Sequence, residues 1–365
     1  MDSSRPIYFT RGNPATEALP IEDFRLCADA IFKEQGKVIF QYGHYSGYGP
    51  LRQWIADWYA VEYDQVLMGN SSMEFLTFCA ALFVDKGDTV FLENPSYDRA
   101  ITAMKRAGAN VVGIPLEPDG IDLAAFEAAL QRNVPRLFYI VPDFQNPAGV
   151  TTSVEKRRRI AQLAREYGFL IVEDAPYRFL RYQGENPATL LELVPEKTLH
   201  ICSFSKIMSP GVRVGFLIGP GDIMPKLHKW SEDTYIHPAL VTEGIVYEYC
   251  RRGLLAPNIE SLKSLYAPRL ACMLQMLDKY LPGVEFIRPE GGFFLSLNLP
   301  AQIDGRALQE NATNFGIVLS DGSGFFTNQN GDNFVRLPFC GMTCEEIETG
   351  IQRLAKAIDH HRKRY

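Results

Sequence analysis

The sequence predicts an α/β fold in which a mainly parallel sheet is sandwiched by helices, with a second, smaller α+β domain. Between residues 65 and 219, short apolar runs alternate with helical patterns, as in sheets built from strand-helix-strand units. After residue 219 the alternation stops, and long helical stretches lead into short strands of a different texture. The chain of 365 residues is also too long for one small core.

We therefore expect a large domain over residues 36–260, and a small domain over residues 261–365 that includes the N-terminal segment, residues 1–35. Apolar runs predict strands at residues 65–68, 89–92, 110–114, 136–141, 169–173, 198–202 and 214–218. Apolar residues at helical spacing predict helices at residues 21–34, 122–131, 153–167, 238–252, 259–280, 305–315 and 343–360.

Composition and charge exclude several classes of protein. The net charge of −6 leaves no basic domain that could neutralise nucleic-acid phosphates. No apolar run reaches the length of a membrane span, and the polar, acidic first 23 residues do not resemble a signal peptide, so we expect a cytoplasmic protein. The chain has seven cysteines, an odd number, and no C-x-x-C motif, which fits reduced thiols rather than disulfides. No grouping of histidines and cysteines predicts a metal site.

One stretch, HICSFSKIMSPGVRVG at residues 200–215, carries the strongest chemical signal. An apolar strand leads to Ser203, Ser205 and Lys206, and Arg213 follows seven residues after the lysine. A lysine amine that is partly buried beside a cation loses its proton easily and can form an imine with an aldehyde cofactor. The hydroxyls and the guanidinium would hold a phosphate on that cofactor. An ordinary surface loop explains the same short motif about as well.

Two further polar residues follow predicted strands of the same sheet. Asn146 lies just after the strand at residues 136–141, and Asp174 ends the strand at residues 169–173, as Lys206 does for the strand at residues 198–202. Ligands of parallel sheets gather at the carboxyl ends of the strands, so we expect these three side chains at one edge. Taken singly, Asp174 could be a helix N-cap and Asn146 a plain turn residue.

Together these stretches resemble a known family over nearly the whole chain. The motifs QYGHYSGYGPLR, NSSMEFL, NPSYDRA, FQNPAGV, VEDAPY, SFSK, SPGVRVG, PEGGFFL and FVRLPF are similar, in order and spacing, to the fold-type-I pyridoxal-phosphate aminotransferases of classes I and II. Within that family the chain looks most like the 2-aminoadipate aminotransferase branch and the related domain fused to winged-helix regulators.

The resemblance implies a role for each residue around the cofactor ring. Asp174 would keep the pyridine nitrogen protonated, so that the ring can accept electrons from the substrate. Asn146 and Tyr177 would contact the phenolic oxygen of the ring, and Tyr97 would stack on its face. Lys206 would form the Schiff base and, once displaced by the substrate, move the proton. A lone tyrosine such as Tyr97 is otherwise most often a packing residue.

The resemblance also implies a phosphate site and a substrate site. The phosphate would bind at the start of a helix and at the lysine loop, through Ser71, Ser72, Met73, Ser203, Ser205 and Arg213, and through Tyr42 of a second subunit in a homodimer. Arg336 would grip the substrate α-carboxylate, with Gly12 and Asn146 beside it, although Arg336 could instead form a structural ion pair. The branch commonly has N-G-S-Q where this chain has Asn70, Ser71, Ser72 and Met73.

Four functions compete on this basis. The leading one is an aminotransferase that moves an amino group between an L-amino acid and a 2-oxo acid. The departures around Ser71, Met73 and Ile207 motivate a second, a pyridoxal-phosphate enzyme catalysing elimination, replacement or cyclisation of a specialised amino acid. A degenerate domain that only senses a ligand is a third, against which the intact Lys206 argues. A dinucleotide-dependent dehydrogenase is the fourth, and it rests only on Gly47 and Gly49.

Overall fold

The computed structural model describes residues 5–362, which contain sheets of eight, three and two strands. Residues 1–4 and 363–365, the outer ends of the predicted small domain, lie outside this range. The strands are β1 (Ile7–Phe9), β2 (Val66–Gly69), β3 (Thr89–Asn94), β4 (Asn110–Glu117), β5 (Gly120–Ile121), β6 (Leu137–Ile140), β7 (Leu170–Asp174), β8 (Thr198–Ser203), β9 (Gly215–Ile218), β10 (Glu285–Phe286), β11 (Phe294–Asn298), β12 (Ile317–Leu319) and β13 (Phe334–Pro338).

Helices cover the sheets and connect their strands. They are α1 (Ile21–Ile39), α2 (Gly49–Tyr59), α3 (Ser72–Phe83), α4 (Asp98–Arg106), α5 (Leu123–Arg132), α6 (Val154–Tyr167), α7 (Leu190–Leu193), α8 (Met224–Tyr235), α9 (Leu240–Arg251), α10 (Leu255–Tyr280), α11 (Gly305–Asn311) and α12 (Cys344–His360). Several are set by local signals. Ser153 caps α6 by accepting a hydrogen bond from the Lys156 amide, and α6 ends at Gly168, whose φ of 82° suits glycine.

The eight-stranded sheet has the order β2-β9-β8-β7-β6-β3-β4-β5. Within the row β8-β7-β6-β3-β4, each strand is parallel to the next. Strand β9 is antiparallel to both β2 and β8, and β5 is antiparallel to β4. The predicted α/β class with a mainly parallel sheet and a smaller α+β part is therefore confirmed. Because β3, β6, β7 and β8 are parallel, the segments that leave them meet at one edge of the sheet.

A second hydrophobic core lies under the small sheets. The antiparallel sheet β10-β11-β13 and the parallel pair β1-β12 pack their apolar side chains against α10 and α12. The long helix α10 joins the two main cores, since Leu262 and Tyr266 belong to the larger one and Met273 and Leu277 to the smaller one. The predicted domain boundary at residue 35 falls within α1, and this division stays a prediction.

The structure adds elements that hydrophobic patterns did not predict. Helix α8 was not expected, and among its side chains only Met224, Leu227 and Ser231 are buried, which gives a weak apolar pattern. Helix α10 begins before the predicted start and continues through Pro268. Within residues 5–362, no helix combines the length and the apolar character that crossing a bilayer requires.

Candidate active site

A pocket of about 490 Å³ opens at the carboxyl ends of the parallel strands. Its wall combines the segments after β3, β6, β7 and β8 with the N-terminal segment and β13. Ten of the residues predicted from the sequence line it: Gly12, Ser72, Tyr97, Asn146, Asp174, Tyr177, Ser203, Ser205, Lys206 and Arg336. Residues far apart in the chain therefore meet around a single cavity.

Lys206 lies in the turn that follows β8, and its amine points into the pocket. Lys206 Nζ donates a hydrogen bond to the Gly12 carbonyl over 3.1 Å and lies 5.3 Å from the centre of the Phe293 ring. Desolvation lowers the pKa of the Lys206 amine, and the guanidiniums of Arg336 and Arg213 lower it further. The environment thus shifts the Lys206 amine towards its neutral form, which is the nucleophilic one.

Asp174 ends β7 with its carboxylate buried at the floor of the pocket. Tyr139, on the neighbouring strand β6, donates its hydroxyl to Asp174 Oδ2 over 2.8 Å. No group among the described residues makes a hydrogen bond with Asp174 Oδ1. Burial raises the pKa of Asp174 to about 6, while the Tyr139 hydroxyl and the charge of His200 oppose that rise. A cationic N–H that entered the pocket would satisfy the free oxygen.

Asn146 and Arg336 contact each other across the pocket. Arg336 Nη1 donates to Asn146 Oδ1 over 2.9 Å, and Nη2 donates to the Thr10 carbonyl and, over 3.3 Å, to Ser320 Oγ. Since Oδ1 of Asn146 is taken by the guanidinium, its Nδ2 remains available as a donor to a bound molecule. Arg336 therefore reaches both the N-terminal segment and the segment after β6.

The guanidinium of Arg336 lies between two aromatic rings. Its central carbon is 4.8 Å from the centre of the Phe294 ring and 4.7 Å from that of Phe325. Within residues 5–362, Nε of Arg336 is buried without a hydrogen-bond partner. Burial lowers the pKa of Arg336, and the group stays cationic because its ordinary pKa is so high. The guanidinium of Arg336 is thus held in one orientation and still has N–H groups available to bind a carboxylate.

The other end of the pocket carries hydroxyls and the start of a helix. Ser72 is the first residue of α3, where the backbone amides have no partner within the helix, and it lines the pocket together with Ser203 and Ser205. Ser203 Oγ and Ser205 Oγ are 2.8 Å apart. Arg213 has a left-handed backbone, with φ of 52°, and donates to the Asn70 carbonyl over 3.3 Å, which ties the lysine loop to the helix start. This arrangement suits an anion.

Ser71, at the same helix start, has an unusual backbone. Its φ is 124° and its ψ is 167°, a region that glycine adopts readily and serine rarely. A glycine is common here in the branch that the sequence resembles. Ser71, Met73 and Arg213 do not line the pocket, so their predicted contacts with the cofactor stay predictions.

Tyr97, Tyr177 and Gly12 shape the remaining wall. Burial raises the pKa of Tyr97 to about 12 and that of Tyr177 further, so both phenols are neutral at physiological pH. A Cβ on Gly12 would lie 2.2 Å from the tip of the Phe294 ring, so any larger residue at this position would have to displace that ring. Tyr42 lies outside the pocket and is 76% exposed.

Sequence reasoning missed five residues that complete this site: Tyr139, Phe294, Phe325, Thr10 and Ser320. A tyrosine in the apolar run of β6 was a usable signal, because a buried tyrosine hydroxyl normally finds a polar partner. The other four lie in or beside the two small sheets, so they depend on how these sheets lie against the eight-stranded one.

The pocket residues fit pyridoxal 5'-phosphate. Lys206 offers an amine with a lowered pKa for the aldehyde, and the unpaired Oδ1 of Asp174 suits a protonated pyridine nitrogen. The helix start at Ser72 and the hydroxyls of Ser203 and Ser205 suit the phosphate. Each chemical part of the cofactor thus has a matching group.

Comparison with known proteins agrees with this geometry. The chain matches the family Aminotransferase class I and II over residues 7–354. It is 34% identical to the 2-aminoadipate transaminase of Thermus thermophilus, over 96% of this chain and 89% of the relative. It is 32% identical to aromatic-amino-acid aminotransferase 1 of Thermococcus litoralis, over 100% of this chain and 90% of the relative.

Solved structures give the same result. The alpha-aminoadipate aminotransferase of Thermus thermophilus, complexed with N-(5'-phosphopyridoxyl)-L-leucine, superposes with a TM-score of 0.93 at 33% identity, covering 97% of this chain and 92% of that one. The kynurenine aminotransferase of Pyrococcus horikoshii gives a TM-score of 0.95 at 30% identity, covering 98% and 92%. The chain therefore belongs to the class I and II aminotransferases, and its cofactor is pyridoxal 5'-phosphate.

Proposed function

We propose that this aminotransferase moves an amino group between an L-amino acid and a 2-oxo acid, with Lys206 as its central catalytic residue. The observation that carries the proposal is the pairing in one pocket of an amine with a lowered pKa and a buried carboxylate with a free oxygen. When bound, pyridoxal phosphate supplies an electron-accepting ring on which the substrate nitrogen and Cα react. The comparisons give no support to elimination, replacement or cyclisation.

Lys206 and Asp174 divide the proton chemistry between them. The neutral Lys206 amine accepts the proton that leaves the substrate Cα and passes it to the C4′ carbon of the cofactor. Asp174 remains an anion and holds a proton on the pyridine nitrogen, with Tyr139 fixing one of its oxygens. Tyr97 and Tyr177 exclude water from the pocket wall and remain neutral, as the raised pKa values of their phenols require.

Arg336 and Asn146 orient the substrate. The fork of Arg336 binds the α-carboxylate with parallel hydrogen bonds, and the Gly12 backbone passes close by. Asn146 donates through Nδ2 while its Oδ1 stays on Arg336. Ser72, Ser203, Ser205 and Arg213 hold the phosphate, and we assign Ser71 and Met73 to the same segment.

We also infer a homodimer in which Tyr42 reaches the phosphate of the other subunit. Tyr42 is 76% exposed, and nearby in the chain Phe40 is 66% and Val38 is 51% exposed. The Tyr42 ring lies 5.8 Å from that of His237, beside the exposed Ile236. An exposed apolar group of this size supports an interface between subunits. The substrates are small molecules, and we expect neither a nucleic-acid nor a membrane partner.

The names of the relatives define the first substrates to test, namely 2-aminoadipate, kynurenine and the aromatic amino acids. We propose a large cofactor-binding domain at residues 36–260, with residues 1–35 and 261–365 forming the small domain and N-terminal segment. Two of the three hydrophobic cores lie mostly or wholly within residues 36–260, and the core under the small sheets lies mostly within residues 261–365. We propose a cytoplasmic location on the basis of composition alone.

A single-turnover experiment tests the reaction. The loaded protein is mixed with one amino acid at a time, and both the visible absorption and the released product are measured. Amino transfer converts the cofactor to its amino form and releases one 2-oxo acid per site. The Lys206→Ala variant should lose this conversion, and borohydride should attach the cofactor to Lys206 of the wild type. A product that keeps its nitrogen, with no amino form of the cofactor, would contradict the proposal.

A further inference from the structure

Gln145 connects the two segments that carry Tyr97 and Asn146, and its side chain is fully buried. Gln145 Nε2 donates to the Pro95 carbonyl over 2.8 Å, two residues before Tyr97. Gln145 Oε1 accepts from the Ala148 amide over 2.8 Å, which closes the turn around Asn146. One amide group therefore bonds to both segments, and the Gln145 side chain that carries it does not line the pocket.

Glu93 completes the connection from the end of β3. Its Oε2 accepts a hydrogen bond from Gln145 Nε2 over 3.3 Å and another from the Val141 amide over 2.9 Å. The carboxyl is fully buried, and burial, with a contribution from the charge of Asp174, raises the pKa of Glu93 to about 8. At neutral pH Glu93 is therefore mostly uncharged, so it orients Gln145 without adding a negative charge near Asp174.

We propose that Glu93 and Gln145 are positioning residues that hold Tyr97 and Asn146 at the separation needed to contact the cofactor ring. This inference rests on the proposed function and on the contacts with the cofactor ring that the family resemblance implies for Tyr97 and Asn146. The two residues act through hydrogen bonds to Pro95, Val141 and Ala148, and neither lines the pocket.

The expected size of the effect follows from the geometry of catalysis. A displacement of about 1 Å in a group that orients the reaction lowers the rate by up to about 100-fold. Without the Gln145 amide, the Pro95 carbonyl and the Ala148 amide lose their partners, so the two segments can shift independently. Asn146 would then donate a weaker hydrogen bond to the phenolic oxygen of the cofactor ring. That hydrogen bond lowers the pKa of the imine between the cofactor and Lys206, so weakening it raises this pKa.

The test compares Gln145→Leu with wild type in three measurements on the full chain. We expect kcat for a good amino-acid substrate to fall about 10- to 100-fold, while its KM changes less than about threefold. The pH midpoint of the cofactor's visible absorption change should rise by about one unit, which corresponds to the loss of one hydrogen bond. The apoprotein should also unfold at a lower denaturant concentration.

Thr198→Val is the matched control, because the buried Thr198 hydroxyl bonds to the carbonyls of Leu190 and Val194 at the start of β8, away from the pocket. We expect it to destabilise the apoprotein while leaving kcat and the absorption midpoint unchanged. If Gln145→Leu behaves like this control, Gln145 has only a structural role and the proposal is overturned.

Glu93 supplies a second pair of variants that does not depend on the folding of Gln145→Leu. Glu93→Gln keeps the shape and the neutral state, so kcat and the absorption midpoint should stay within about twofold and about 0.3 units of wild type. Glu93→Ala should reproduce the Gln145→Leu pattern, and a Glu93→Ala variant with normal kcat and midpoint would overturn the proposal. Failure of the proposed function looks different, since Lys206→Ala would then retain turnover.

Discussion

Arg336 Nη1 donates a hydrogen bond to Asn146 Oδ1 over 2.9 Å, joining β13 to the segment that follows β6. The two residues lie 190 positions apart in the chain. The same guanidinium bonds to the Thr10 carbonyl of the N-terminal segment. The groups assigned to the substrate carboxylate are therefore held in place before any substrate binds, which reduces the entropy lost on binding.

Replacing Arg336 should abolish this grip. We expect Arg336→Gln to lower kcat/KM for amino-acid substrates by roughly 30- to 5000-fold, because loss of a desolvated charged partner costs about 2–5 kcal/mol. Cofactor binding, followed by visible absorption, should persist. Arg288→Gln removes an exposed guanidinium paired with Asp278 and should leave kcat/KM unchanged. An Arg336→Gln enzyme within threefold of wild type for its best substrate would refute the assigned role.

Tyr139→Phe should weaken cofactor binding at low pH. The Tyr139 hydroxyl lowers the pKa of Asp174, which burial has raised to about 6, so its removal raises that pKa further. Asp174 must be ionised to hold the protonated ring nitrogen, and its affinity for the cofactor is lost as the pH falls through its pKa. We therefore expect the cofactor dissociation constant of the variant to begin rising at a higher pH than that of wild type.

Fluorescence titration of the apoprotein with cofactor between pH 5 and 8 would measure this shift. Tyr280→Phe is the control, since Tyr280 also donates its hydroxyl to a carboxylate, Glu348, but lies far from the pocket. Identical curves for Tyr139→Phe and wild type would mean that Tyr139 does not tune Asp174.

Ser71→Gly should stabilise the protein. A serine at φ of 124° carries strain of about 1–3 kcal/mol, whereas glycine adopts this backbone freely and loses only about 0.5–1 kcal/mol through its greater freedom when unfolded. We expect the free energy of unfolding to rise by about 1 kcal/mol. Ser72→Gly, the same change one residue later at the first position of α3, should lower it. Urea unfolding of the apoproteins measures the free energy of unfolding of both variants. A Ser71→Gly variant that is less stable than wild type would show that the backbone of Ser71 is not strained.

Much of the fold could be predicted because its strands are buried on both faces. Strands β7 and β8 are buried almost throughout and carry apolar residues at their centres, so the predicted strands at residues 169–173 and 198–202 agree with the observed strands to within one residue at each end. Helix α8 was missed because its side chains are mostly polar. The reversed direction of β9 depends on pairing between strands, which periodicity along one segment does not contain.

The residues of the site also fall into those that could be predicted from the sequence and those that could not. Residues at or just after the ends of strands, such as Asp174 and Lys206, could be placed from the alternation and the family resemblance. The bond from Arg336 to Asn146 and the rings of Phe294 and Phe325 could not, because they depend on how the second sheet lies against the first. Contacts between separately folded layers leave little trace in local sequence patterns.

Glu243 should make the apoprotein less stable as the pH rises. Its carboxyl is buried in α9, where Oε2 accepts the Tyr48 amide over 2.7 Å and no described residue bonds to Oε1. Burial, helped by the charge of Glu74, raises the pKa of Glu243 to about 8 from 4.5. The stabilising contribution is thus complete below pH 4.5 and is lost as the pH rises through about 8, because only the unfolded chain releases the proton between these values.

Glu243→Gln keeps the shape of the side chain and cannot ionise. Relative to wild type, its free energy of unfolding should increase by about 1.4 kcal/mol for each pH unit between pH 5 and 7.5. Urea unfolding of the apoproteins measures this difference at about pH 5.5, 6.5 and 7.5, between the pKa values of Glu243 in the unfolded and folded protein. The exposed Glu260→Gln should show no such trend. A constant difference between Glu243→Gln and wild type across these pH values would mean that Glu243 is ionised in the folded protein.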